Sequence, residues 1–110
     1  MYNFGVMNIK ELTQAMNQFV TDKGWYESDS LRPQTPKNLA ISLIIEAAEV
    51  LEHFQWQGKT PESAELAGEL ADVTLYLLQL ASVMNIDLEK AVMEKLAQNY
   101  ERNWDKDGKG

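Results

Sequence analysis

Apolar residues recur along this chain at spacings of three and four, the period of an amphipathic helix, and no segment keeps the alternation of a half-buried strand. Ile9, Leu12, Met16, Phe19 and Val20 form the first series. Asn8 stands three residues before Glu11 as an approximate capping box, and Gly24 reads as the stop. From Trp25 to Thr35 the chain bears Ser, Asp and Pro without period, a loop long enough to be functional rather than a mere connector. Thr35-Pro36 then pairs a cap with proline at the first helical position, predicting a second helix to about Gln57, ended by Gly58. Thr60-Pro61 repeats the device for a third helix to about Met84. Asp87 caps a fourth from Leu88, with Glu89 in its first turn favourable to the helix dipole. The expectation is an all-α fold of four helices with short connections apart from the first loop, one domain over residues 1–110 with flexible ends at 1–7 and 105–110.

The faces of these helices differ. Leu66, Leu70, Val73, Leu77 and Leu80 lie on the apolar side of the third, and Leu88, Ala91, Val92, Leu96 and Tyr100 are the expected core residues of the fourth. The second is apolar nearly all round its middle turns, which predicts burial on more than one side. One stripe departs from that rule: Asn38, Ser42, Glu46, Glu49, His53 and Trp56. The third helix has a matching polar stripe of Glu62, Glu65, Glu69, Asp72, Tyr76 and Gln79.

A chain of 110 residues buries a limited core by itself, so oligomerisation is expected. Seventeen acidic residues against ten basic ones give a net charge of -7, which argues against a nucleic-acid polymer as partner. A small phosphorylated ligand is compatible with it. There are no cysteines, so disulfides and thiolate metal sites are excluded, and a single His leaves little room for a histidine-based zinc site. The sequence shows no signal-peptide pattern and no run of roughly 20 apolar residues, so no membrane is expected and a cytoplasmic location is the simplest reading.

Two acidic pairs stand inside apolar stretches: Glu46 and Glu49 between Leu43 and Leu51, Glu69 and Asp72 between Leu66 and Val73. A spacing of three stacks the carboxylates on one helical face, where like charges repel and burial of each costs several kcal/mol unless compensated. A divalent cation is the most economical compensation, and two facing helices offer it four carboxylates. The di-iron bundles need Glu-x-x-His, which this chain lacks; carboxylates without imidazole favour Mg2+ or Mn2+. Lys95, Asn99 and Arg102 share a face of the fourth helix, suited either to solvent or to phosphate oxygens. Trp25 and Trp56 suit either packing or stacking on a flat base, and His53 either an ordinary surface or hydrogen bonding beside the carboxylates.

Taken together, E46-x-x-E49 followed by E69-x-x-D72 resembles the signature of the all-α nucleoside triphosphate pyrophosphohydrolases, the MazG-like proteins. Within them it resembles the dCTP pyrophosphatase branch, through Pro36-Lys37-Asn38-Leu39, Phe54-Gln55-Trp56, Glu69-Leu70-Ala71-Asp72-Val73 with Tyr76, and Lys95-x-x-x-Asn99-x-x-Arg102. The E-E-x-x-E form common in the family has Ile45 at its first position here. The resemblance implies Mg2+-dependent cleavage of a nucleoside triphosphate, with dCTP or a modified dCTP as first guess, into the monophosphate and pyrophosphate. It implies a symmetric homodimer or homotetramer with sites where subunits meet. Glu46, Glu49, Glu69 and Asp72 would hold the metal, with Glu49 also the candidate proton acceptor. Lys95, Arg102, Asn99 and Asn38 would meet the phosphates, and Trp25, Trp56 and Tyr76 the base and sugar. The alternative from another class is a non-catalytic helical dimerisation module whose acidic stripes bind a basic partner protein.

Overall fold

A computed structural model describes residues 4–56 and 62–102. Four helices fill them, with no strand among the described residues: α1 (Ile9–Asp22), α2 (Pro36–Glu52), α3 (Ser63–Val83) and α4 (Leu88–Glu101). The starts follow the local chemistry. The Glu11 N–H donates to Asn8 Oδ1 at 2.8 Å and the Asn8 N–H to Glu11 Oε1 at 3.3 Å, closing the capping box of α1. Thr35 Oγ1 accepts from the Asn38 N–H at 3.2 Å with Pro36 at the first helical position, and Asp87 Oδ1 accepts from the Lys90 N–H at 3.1 Å. The expected Thr60-Pro61 cap lies outside the described residues; within them α3 follows Glu62, whose side chain makes no capping bond.

Two helix ends share one device. At the end of α1, Gly24 takes φ 73°, its N–H bonds to the Thr21 carbonyl at 2.9 Å, and the Trp25 N–H to that of Val20 at 3.1 Å. At the end of α3, Asn85 takes φ 57°, with the Asn85 N–H on the Ser82 carbonyl and the Ile86 N–H on that of Ala81. Both are Schellman motifs, the second with Asn in the left-handed position. The first turns Trp25 back against the core of Met16, Val20 and Leu78, where Ile9 and Leu88 also pack.

α3 is the central helix. α2 runs antiparallel to it, as the pairing of Gln34 with Gln79 at one end and His53 with Glu69 at the other requires, and α1 packs on it from another side. By length and composition α3 could cross a membrane, but Glu69 and Asp72 lie within it and α1 and α2 cover part of it. α4 packs on α1.

Two expectations are corrected. α2 does not continue to Gln57: its last regular residue is Glu52, after which the N–H groups of His53, Phe54 and Gln55 bond three residues back. That tighter turn ends the helical period before Trp56. Val92, Leu96 and Tyr100 are not core residues of the single chain but 44%, 53% and 89% exposed, and Leu70 and Leu77 are also exposed. Phe4 lines the cavity described below; residues 1–3 and 103–110 are outside the described part.

Candidate metal centre and adjoining cavity

The facing stripes of α2 and α3 bring Glu46, Glu49 and Glu69 together, one carboxylate oxygen from each lying within 4.8 Å of the others. All three are half-buried. Glu46 Oε2 is shut off from solvent and has no hydrogen-bond partner. Burial pushes the Glu46 carboxyl above the usual carboxylate range, and Glu49, Asp72 and Glu69 push it further. The Glu69 carboxyl is raised first by its hydrogen bond with Glu49, then by burial and by repulsion from Glu49 and Asp72; His53 acts in the opposite direction.

Crowded carboxyls pushed above their ordinary range, with one buried oxygen unsatisfied, fit a hard divalent cation, whose oxygen ligands sit at about 2.0–2.6 Å. Asp72 is outside the tight group and exposed, yet close enough for its charge to act on both Glu46 and Glu69. His53 Nε2 stands 3.9 Å from Glu69 Oε1, beyond hydrogen-bond reach.

From Asp72 a cavity of about 680 Å3 runs between α1, the 26–35 loop, the start of α2 and α3. Asn38 and Ser42 continue the carboxylate stripe of α2 into it, and Tyr76 and Gln79 that of α3. Phe19 and Trp25 form an aromatic wall, edge to face with centroids 5.6 Å apart, and the Arg32 guanidinium lies 5.6 Å from the Trp25 ring centre. Asn38 Nδ2 donates to the Pro33 carbonyl at 3.0 Å, tying the loop to α2.

Of the residues expected at a site, the chain thus brings Glu46, Glu49 and Glu69 into one group and Asp72, Asn38, Trp25 and Tyr76 onto one cavity. Trp56 does not join it. It stands beyond the end of α2, 68% exposed, because the helix that would have kept it on the stripe stops at Glu52. Lys95 and Arg102 are exposed and Asn99 half-buried on α4, outside both groups. Arg32, Gln34 and Gln79 were not assigned a role from the sequence. Gln79 lay on the polar stripe of α3, which was its only signal; the two loop residues had none.

Residues 41–109 match the model of the MazG-like family. The chain belongs to the MazG-like family. It is 32% identical to dCTP pyrophosphatase 1 of Homo sapiens and 30% identical to that of Mus musculus, over 103 residues in each case. These stretches cover 86% of this chain and 58% of each relative, so the chain spans less than two thirds of their length. A solved structure of a pyrophosphatase from Archaeoglobus fulgidus superposes with a TM-score of 0.66 at 35% identity, covering 90% of this chain and 94% of that one. The resemblance drawn from the motifs, to the family and to its dCTP pyrophosphatase branch, and the all-α fold are borne out.

Proposed function

We propose that this chain, folded as one domain, is a Mg2+-dependent pyrophosphohydrolase that cleaves a nucleoside triphosphate to the monophosphate and pyrophosphate. dCTP or a modified dCTP is the first candidate, in keeping with the names of the relatives. One observation carries the reading: a carboxylate cluster with an unsatisfied buried oxygen stands within reach of the charge of Asp72, which lines a cavity with aromatic walls. A surface meant for a basic protein would turn its acidic groups outward; here the three central ones face one another.

Glu46, Glu49 and Glu69 would hold the ion, with Asp72 beside them. A bound Mg2+, or Mn2+ in its stead, would supply charge neutralisation at the phosphate oxygens and acidify water for the attack. Glu49, grouped with Glu46 and Glu69, would accept the proton from the attacking water. The water oxygen bonds to phosphorus, the bridge between the α- and β-phosphates breaks, and pyrophosphate leaves. Asn38 at the cavity rim can donate to a phosphate or sugar oxygen once its bond to Pro33 is exchanged. Trp25 offers the apolar surface for a base and Tyr76 the wall beside the sugar.

Lys95, Asn99 and Arg102 stand apart from the cavity, and Trp56 outside it. Their phosphate- and base-binding roles therefore depend on a second copy, which we propose brings them to a neighbouring site in a homodimer or homotetramer. The exposed Ile44, Ile45 and Leu51 of α2 and Met93 and Leu96 of α4, between 53% and 69% exposed, support such an assembly. We place the protein in the cytoplasm, acting on the nucleotide pool. A panel of triphosphates with Mg2+, with both products identified, tests the reading. Monophosphate plus pyrophosphate is expected; diphosphate plus orthophosphate would overturn it.

A further inference from the structure

Gln79 is the one buried polar residue among the described residues, 4% exposed on the wall of the cavity. Its surroundings fix the direction of its amide. The Arg32 backbone carbonyl can only accept, so Gln34 turns its Nε2 to it, at 2.6 Å. Gln34 Oε1 must then face Gln79, whose Nε2 donates to it at 2.7 Å and also approaches the Tyr26 hydroxyl at 3.4 Å. That hydroxyl donates onward to Asn17 Oδ1 at 2.5 Å, and Asn17 Nδ2 to Ser82 Oγ at 2.8 Å. A flipped Gln79 amide would set oxygen against the oxygen of Gln34. Its donors are thus committed to the protein, and the atom left to meet a ligand is its oxygen, a pure acceptor.

We propose that Gln79 is a specificity-determining residue: its Oε1 accepts a hydrogen bond from the exocyclic amine of a bound base, so that aminopyrimidine nucleotides are preferred to oxopyrimidine ones. Gln34 and Tyr26 are positioning residues that keep the amide in that sense. This rests on the reading of the cavity as a nucleotide site. The placement suits it, because Asp72, Tyr76 and Gln79 follow one another along α3 on the cavity wall, and Gln79 lies about 10 Å beyond Asp72 by helical rise. Phosphates at the carboxylate end would leave the base at Gln79. Cytosine presents an amine donor at C4, whereas uracil and thymine present a carbonyl there. That carbonyl would lie against Oε1 with neither oxygen satisfied, and the Gln34 bond blocks the flip that would relieve it.

The test compares wild type, Gln79→Ala and Gln34→Leu in two measurements: kcat/KM for dCTP and dUTP with Mg2+, and binding of dCMP and dUMP followed by tryptophan fluorescence. Wild type should favour the cytosine member by roughly tenfold or more, the scale of one hydrogen bond in a closed site. Gln79→Ala should bring the ratio near one, mainly by weakening the cytosine member. Gln34→Leu frees the amide to flip, so the ratio should fall by a gain for the uracil member. A merely structural role would lower both members together. Gln34 lies on the loop, so its variant carries the test if Gln79→Ala does not fold. An unchanged ratio in either folded variant overturns the proposal, as does a wild type that binds both monophosphates equally or neither. If no triphosphate is cleaved yet dCMP is preferred and the variants abolish the preference, this inference stands and the pyrophosphohydrolase reading falls.

Discussion

Three carboxyls held within 4.8 Å of one another repel when ionised, and the raised Glu46 and Glu69 carboxyls register that repulsion together with burial. Glu49→Gln removes one charge at nearly constant volume. Turnover at saturating Mg2+ should fall by orders of magnitude, while the metal-free protein melts no lower than wild type because repulsion is relieved. Substantial residual turnover would take Glu49 out of the mechanism. The same carboxyls set a pH dependence. In the folded chain Glu46 and Glu69 keep protons to higher pH than in the unfolded chain, so between the ordinary carboxylate range and their raised values the folded state binds more protons. Stability without metal should therefore fall as pH rises through that window and be regained on mild acidification. Melting curves in chelator should show this slope in wild type and a flatter one in Glu69→Gln; identical slopes would count against the cluster. Mg2+ affinity runs the other way, strengthening with pH as the ligands lose their protons.

The ends of the helices set where the walls of the cavity stand. Gly24 at φ 73° lets the chain reverse so that Trp25 reaches the core, and a Cβ there would meet no atom within 4 Å. Gly24→Ala thus suffers only the left-handed backbone penalty, about 1–2 kcal/mol. Urea unfolding should show a lower midpoint at unchanged slope. A loss below about 0.3 kcal/mol would mean that the turn relaxes elsewhere. Asn85 at φ 57° is the converse case: Asn85→Gly should stabilise by up to about 1 kcal/mol in the same experiment. α2 shows how an end can also withdraw a residue, since the tightening after Glu52 leaves Trp56 outside the cavity.

Across the whole molecule the buried apolar set is small. Among the described residues it comprises Met16, Val20, Leu39, Leu78 and Ala81, and α4 has no buried residue. Meanwhile Ile44, Leu51 and Met93 are between 64% and 69% exposed. Such a chain is expected to be at least dimeric at micromolar concentration in sedimentation. Ile44→Asp, placed on the helix that carries Glu46 and Glu49, should shift it toward monomer and lower activity with it. A fully active wild-type monomer at assay concentration would refute the assembly.

The sequence by itself determined the helices, because caps, proline positions and apolar period are local: Asn8 with Glu11, Thr35 with Pro36 and Asp87 each begin a helix where expected. It also determined that Glu46 and Glu49 share a face, as Glu69 and Asp72 do, since a spacing of three admits no other outcome on a helix. Family membership was legible for the same reason, the motif residues standing in fixed order along the chain. Which face meets which was decided only by the tertiary structure. Antiparallel packing of α2 on α3 gathered Glu46, Glu49 and Glu69 and left Asp72 at the cavity edge. The 26–35 loop, having no period to read, could reveal neither Arg32 against Trp25 nor Gln34 against Gln79. Leu96 and Tyr100 lie on the apolar side of α4, yet period alone reports only that a face is apolar. Whether it packs inside its own chain depends on how many neighbours the fold supplies, and here α1 is too little to cover it.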